Sequence, residues 1–125
     1  VINHFKLKIY DASVTCTVDH VHDGDTFCVS IPYWPAVAGQ NIDVRIFGID
    51  APELHDIRPD IKAIADQAKD LLTQLIDKKE VTLKNLRRDK YFRILAEVYL
   101  GEDLIADKLL AANLVRPYDG KKKPW

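Results

Sequence analysis

Four clusters in this 125-residue chain carry residue types suited to phosphate chemistry, and they fall in one order. They are Asp23-Gly24-Asp25-Thr26, then Arg45, then Asp50-Ala51-Pro52-Glu53, then Asp89-Lys90-Tyr91-Phe92-Arg93. Carboxylate oxygens are hard ligands for a divalent cation, a further carboxylate can manage a water, and two guanidinium groups can take phosphate charge. No cluster is decisive alone. An Asp-Gly pair between apolar strands is first of all a hairpin turn, and Asp-Ala-Pro-Glu is first of all a strand running into a loop. The ordered combination is what points to metal-assisted phosphodiester cleavage.

Asp25 follows a turn at the start of a strand, which lets its side chain point to a rim. Asp23 is expected to stabilise the turn itself through an Asx-type hydrogen bond. Asp50 ends a strand ahead of Ala51-Pro52, leaving its carboxylate and the Ala51 carbonyl outside the ladder. Two carboxylates, one carbonyl and waters make a site for calcium, with Glu53 in loop reach of the ion. Arg45 and Asp50 pose a geometric problem. Straight strand would separate them by roughly 16 Å and place them on opposite faces. They can share a site only if the strand bends, and Gly48 sits where a barrel strand kinks. Without that bend, Arg45 is an ordinary surface charge. His20 and His22 share a strand face and, with His55, offer a zinc alternative, although loosely spaced histidines are more often surface residues. There is no Gly-rich phosphate loop and no nucleophile elbow.

These residues need elements to position them. Period-2 alternation predicts strands over 14–18 and 26–31, joined by the Asp-Gly turn. Residues 32–39, with Pro32 and Pro35, read as a long hairpin loop. A third strand runs from Ile42 toward Ile49, and 51–59 is a loop. Ile61, Ile64, Ala65, Ala68, Leu71, Leu72, Leu75 and Ile76 recur at helical spacing, with Asp60 as the expected N-cap. Strands over 81–83 and 95–99 flank an Arg-rich segment. A short helix over 104–112 closes at Asn113, a residue that tolerates the left-handed position after a helix. The pattern is mainly β with α: a five-stranded, partly open Greek-key barrel of the oligonucleotide-binding type, with one long and one short helix. One domain over 1–125 is expected, its core at about 14–115 and its tail, 117–125, irregular.

Composition narrows the partners. With 18 basic and 19 acidic residues the net charge is -1, so attraction for a polyanion must be local. Basic residues cluster at Lys84, Arg87, Arg88, Lys90 and Arg93, and again at Lys121, Lys122 and Lys123; the C-terminal run reads as a solvated surface. Cys16 and Cys28 lack metal-ligand spacing, and alternation turns Cys16 inward and Cys28 outward, which favours free thiols. No apolar run reaches a membrane span, and no signal peptide is apparent. The chain begins at Val1, which keeps a secreted origin open.

In order and spacing, the four clusters resemble the signatures of the staphylococcal (micrococcal) nuclease family, over about 14–115. The resemblance implies that Asp25 and Asp50, with the Ala51 carbonyl, are calcium ligands and that Glu53 positions or deprotonates the attacking water. It also implies that Arg45 and Arg93 bind the scissile phosphate and that Lys90 and Tyr91 contact the substrate. The implied activity is a calcium-dependent endonuclease acting on DNA and RNA with little sequence specificity, leaving 3′-phosphates. A monomer without membrane association is expected. A secreted or periplasmic setting is favoured over a cytoplasmic one, because a nonspecific nuclease endangers its own cell. The chain departs from the family at Phe92, where the family has Gly, and a ring there reshapes the Arg93 loop or offers a stacking surface. The loop over 32–39 is longer than in the staphylococcal enzyme. That enzyme's last helix has no counterpart, so 117–125 is expected to cover the barrel's outer side. The rival reading is a catalytically silent module that binds nucleic acid or protein; retention of all five carboxylates and arginines of the site argues against it.

Overall fold

The architecture is a closed barrel, seen in a computed structural model that describes residues 9–125. Strands β1 (Val14–Asp23) and β2 (Thr26–Ser30) form the first hairpin, and β3 (Ile42–Ile46) adds beside β2. Strands β5 (Glu80–Arg88) and β6 (Ile94–Leu100) form the second hairpin, with β5 against β1. All of these pairings are antiparallel. A parallel pairing of β3 with β6, Val44 opposite Ile94 and Ile46 opposite Ala96, then closes the ring. The barrel is therefore closed where the sequence suggested a partly open one: β3 is long enough to reach β6 once its far end bends away. Phe27, Val29, Val44, Ile46, Leu83, Ile94, Ala96 and Val98 fill the interior, so the strands alternate inward apolar residues as the pattern required.

Between β3 and β4 (Ile49–Asp50) the chain turns at Gly48, whose φ of 87° is left-handed, a conformation glycine adopts without steric cost. Helix α2 (Pro59–Ile76) lays Ala65, Ala68, Leu72 and Ile76 against the barrel. Its N-cap is Arg58 and not Asp60, because Pro59 occupies the first turn, where its fixed φ suits a helix and its missing N–H costs nothing. Helix α3 (Ile105–Ala111) follows the short strand β7 (Asp103–Leu104), and Asn113 takes the expected left-handed conformation at φ 60°. The loop over 32–39 contains one helical turn, α1 (Ala36–Gly39), that periodicity could not reveal in so short a stretch. Strand β8 (Arg116–Pro117) pairs with β4, so the tail is anchored at the barrel rim and not spread over its outer side.

Cys16 and Cys28 are both free and both buried. Cys16 joins the core, and burial pushes its thiol up to about 12. Cys28 lies outside the core cluster, as alternation required. It is nonetheless covered, in register between His20 on β1 and Asp43 on β3, whose larger side chains shield a small thiol. No helix among the described residues is long and apolar enough to cross a membrane.

Candidate active site

The Asp23-Gly24-Asp25 turn is pressed against the start of the loop after β4. A Cβ on Gly24 would lie 2.6 Å from the Ala68 Cβ of α2 and 2.9 Å from the Ala51 Cβ. Glycine is required here by space, and its absence of side chain brings Asp25 beside Ala51. The Ala51 N–H donates to Asp25 Oδ2 at 2.8 Å, and the Thr26 hydroxyl donates to Oδ1 at 2.9 Å. Asp23 does what its position suggested: its Oδ1 accepts the Asp25 N–H at 3.0 Å, an Asx turn.

The bend at Gly48 solves the Arg45–Asp50 problem. Arg45 Nη1 reaches Asp25 Oδ2 at 2.8 Å and Nη2 reaches Asp50 Oδ1 at 2.9 Å, so one guanidinium clamps both carboxylates. Arg45 Nη2 also donates to the Ile49 carbonyl at 3.2 Å. The Arg45 side chain is only 11% exposed, which rules out the surface-charge reading. Burial pushes the guanidinium down, but Asp25 and Asp50 outweigh it and hold Arg45 above its ordinary value. Burial also pushes Asp25 up, and here the Asp23 hydrogen bond, Arg45 and the Ala51 N–H prevail, leaving its carboxyl below the usual range. Asp23 goes the other way, up to about 7, through its own burial and the adjacent Asp25 charge. The two neighbouring carboxyls are thus driven apart, Asp23 being the one that takes up a proton more readily.

Asp50 Oδ2 is buried and has no hydrogen-bond partner among the described residues. A charged oxygen left bare inside a protein is costly, and a cation would satisfy it. With Asp25, Asp50 and the Ala51 carbonyl the donors are all hard oxygens, so they fit calcium in kind. No group of three His, Cys, Asp or Glu side chains converges on a metal position among the described residues. That counts against the zinc alternative, in which His22 instead bonds Asp43 at 2.9 Å. It also means that a cation held by Asp25 and Asp50 would complete its shell with carbonyl and water oxygens.

The remaining site residues stand apart. Glu53 is exposed and touches Lys123 at 3.2 Å. Arg93 makes no contact with the Arg45 clamp. It lies in the β5–β6 turn, where its Nε donates to Asp89 Oδ2 at 2.8 Å and its N–H to Asp89 Oδ1. Tyr91 is exposed, with the Lys90 ammonium and the Arg93 guanidinium over its ring. Phe92 is left-handed at φ 65°, the conformation a glycine would take without strain.

Sequence reasoning missed the tail. Tyr118 donates its N–H to the Gly48 carbonyl and places its ring 5.5 Å from the Arg45 guanidinium carbon. The Trp125 indole donates to the Asp50 carbonyl at 2.7 Å, and Lys123 Nζ lies 3.5 Å from Asp50 Oδ1. Lys123 is therefore not simply part of a solvated run. A segment without periodicity gives no signal of where it docks, and only its aromatic and basic residues hinted at a contact.

Comparison with known proteins decides the family. The staphylococcal nuclease homologue profile matches residues 43–123. The chain belongs to this family. The match includes Arg45, Asp50, Ala51, Glu53, Lys90, Tyr91 and Arg93 but not Asp25, which the fold alone brings to Arg45. A staphylococcal nuclease homologue by this measure, the chain is also similar to the thermonuclease of Staphylococcus hyicus, 29% identical over 82% of this chain and 58% of that protein. It is similar to the probable endonuclease lcl3 of Pyrenophora tritici-repentis, 34% identical over 66% of this chain and 32% of that protein. An uncharacterized endonuclease of Haemophilus influenzae is 35% identical over 83% of this chain and 52% of that protein. The chain spans a third or less of the first fungal relatives it matches.

Proposed function

We propose that this chain is a calcium-dependent endonuclease that hydrolyses phosphodiester bonds of DNA and RNA with little sequence specificity and leaves 3′-phosphates. The observation that carries the reading is the clamp: Arg45 buried between Asp25 and Asp50, with one Asp50 oxygen bare. The family membership and the endonuclease names of the relatives support it.

Asp25 and Asp50, with the Ala51 carbonyl, would hold calcium, which when bound supplies positive charge to a phosphate oxygen. Arg45, already oriented by two carboxylates, would donate to the same phosphate without reorganising. Glu53 would accept a proton from the attacking water as its oxygen bonds to phosphorus. The bond from phosphorus to the 5′ oxygen breaks, that oxygen takes a proton from solvent water and leaves as a hydroxyl, and the phosphate stays on the 3′ side. Arg93 would have to exchange Asp89 for the phosphate to share its charge. Little base preference follows, because phosphate contacts carry no sequence code.

Digestion of plasmid and of a folded RNA with calcium or with chelator tests the reading. Cleavage is expected only with calcium, and the ends should resist polymerase extension until a phosphatase removes the 3′-phosphate. Equal outcomes in both tubes would instead favour a silent binding module.

A further inference from the structure

Two of the departures that the sequence suggests, the loop over 32–39 and Phe92, meet in space. The loop after β2 brings Trp34 and Val37 to one wall of a groove, and the β5–β6 turn brings Phe92 to it. The groove is about 510 Å³ and mainly apolar. Tyr10 also lines it, pinned by backbone hydrogen bonds in both directions with Leu86 and set edge-on to the Trp34 ring at 6.1 Å. Phe92, 74% exposed, presents a ring that no core residue covers.

The floor is basic. The Arg88 guanidinium lies 3.7 Å from the Phe92 ring centre, and that of Arg87 lies 4.2 Å from the Phe47 ring centre. Neither arginine has a carboxylate partner among the described residues, whereas Arg45, Arg58 and Arg93 are each paired with one. Arg87 Nε and Arg88 Nη2 are buried and find no acceptor among the described residues. Two half-buried cations with unfilled donors, walled by flat rings, are complementary to a group carrying both negative charge and a planar face. A nucleotide of a single strand is such a group. A basic peptide, the chain's own residues 1–8 with Lys6 and Lys8 included, would meet like charge there.

We propose that the groove between Trp34 and Phe92 binds a nucleotide of a single-stranded stretch of the substrate, its base against the rings and its phosphate on Arg87 and Arg88. This rests on the nuclease reading for its substrate. Phe92, which lines the groove, precedes Arg93 in sequence, and Phe47, over whose ring the Arg87 guanidinium lies, precedes Gly48 of the bend that sets the clamp. Single strands would then be held at one more point than duplexes, whose bases are stacked and closed to the rings.

The test measures binding of a short single-stranded oligonucleotide, and of its duplex, to the full chain in chelator, so that no cleavage intervenes. Trp34→Ala should weaken the single strand roughly tenfold or more, the loss expected for one base stack, and leave the duplex unchanged. Arg88→Gln, at a residue outside the hydrophobic core cluster, is the second variant. It should flatten the salt dependence of single-strand binding by roughly 0.7 in log–log slope. Cleavage of a dinucleotide, which offers no further nucleotide to the groove, should be equal in parent and variants. Unaltered single-strand affinity and salt slope in folded variants would overturn the proposal. So would quenching of Trp34 fluorescence by residues 1–8 but not by the oligonucleotide, read in a Trp125→Phe background with and without that segment. Groove-dependent binding without calcium-dependent cleavage would uphold the groove and sink the nuclease reading; cleavage with a mute groove would do the reverse.

Discussion

The Arg45 clamp and the β5–β6 turn each hold an arginine beside a carboxylate, yet they are built in opposite ways. Arg45 is buried, bridges one acidic residue of the β1–β2 turn and one of β4, and is fixed by a bend, a close-packed glycine and a backbone N–H. Arg93 is 25% exposed and is paired with Asp89 of its own turn, four residues away. The first arrangement is set by tertiary structure and cannot move without unpacking the rim. The second is local, can open without disturbing the core, and leaves the flanking Tyr91 and Phe92 in solvent. A phosphate would meet one arginine already in position and another that has to be drawn in.

Breaking the clamp should have the largest effect. Arg45→Gln leaves buried Asp25 without a counter-charge and Asp50 with only the exposed Lys123, and removing one partner of a buried pair typically costs about 3–5 kcal/mol. Calcium should restore more stability to this variant than to the parent, because the ion would replace the lost cation. Urea unfolding with and without calcium reads both quantities. Equal calcium responses would mean that Asp25 and Asp50 do not hold the ion.

Glu53 sharpens the comparison, because it lies near the clamp but is exposed like the turn. Glu53→Gln should lower turnover by about 10²- to 10⁴-fold, the usual contribution of a water-activating carboxylate. The melting temperature and the calcium affinity should stay close to parental, since its one contact is an exposed ion pair. Steady-state cleavage beside a calcium titration separates the two roles: a ligand would lose affinity and rate in step.

Arg93→Lys probes the turn itself. Charge is kept but the planar fork and the Nε donor to Asp89 are lost, so turnover should fall on the order of 10²-fold with little change in stability. Parental turnover in this variant would show that Arg93 stays on Asp89 throughout the reaction.

The same contrast explains what was legible in the sequence. The barrel strands, α2 and the Asn113 stop were readable because each depends on periodicity or on one residue's backbone preference. Gly48 could be named as the bend because nothing else lets Arg45 and Asp50 meet, and the clamp confirms that geometry. Ring closure was not readable, since a parallel pairing between strands so far apart in sequence leaves no local pattern. Cys28 misled because alternation tells which face a residue takes and not what its neighbours cover. The tail was opaque for a related reason. Its few contacts run through single side chains, Tyr118, Lys123 and Trp125, onto a rim that only the folded barrel creates.

Lys123 offers the finest test, because it joins an exposed segment to the clamp. Its ammonium lies 3.5 Å from Asp50 Oδ1 and 3.2 Å from Glu53 Oε1, and Asp50 and Glu53 raise its pKa against the opposing effect of burial. A cation there competes in charge with any ion on Asp50, but its side chain is 53% exposed, so solvent screens the competition. Lys123→Gln should therefore raise calcium affinity by a few-fold only, the equivalent of about 0.2–1 kcal/mol for a screened pair. The gain should shrink as salt rises, because the Debye length falls to about 3 Å at 1 M. Calorimetric titration at low and high salt checks both statements. Unchanged affinity at low salt would return Lys123 to the solvated run that its sequence suggested. A loss of affinity would mean that Lys123 instead organises Glu53 and the loop for the ion, making the tail a support of the site and not a rival to the metal.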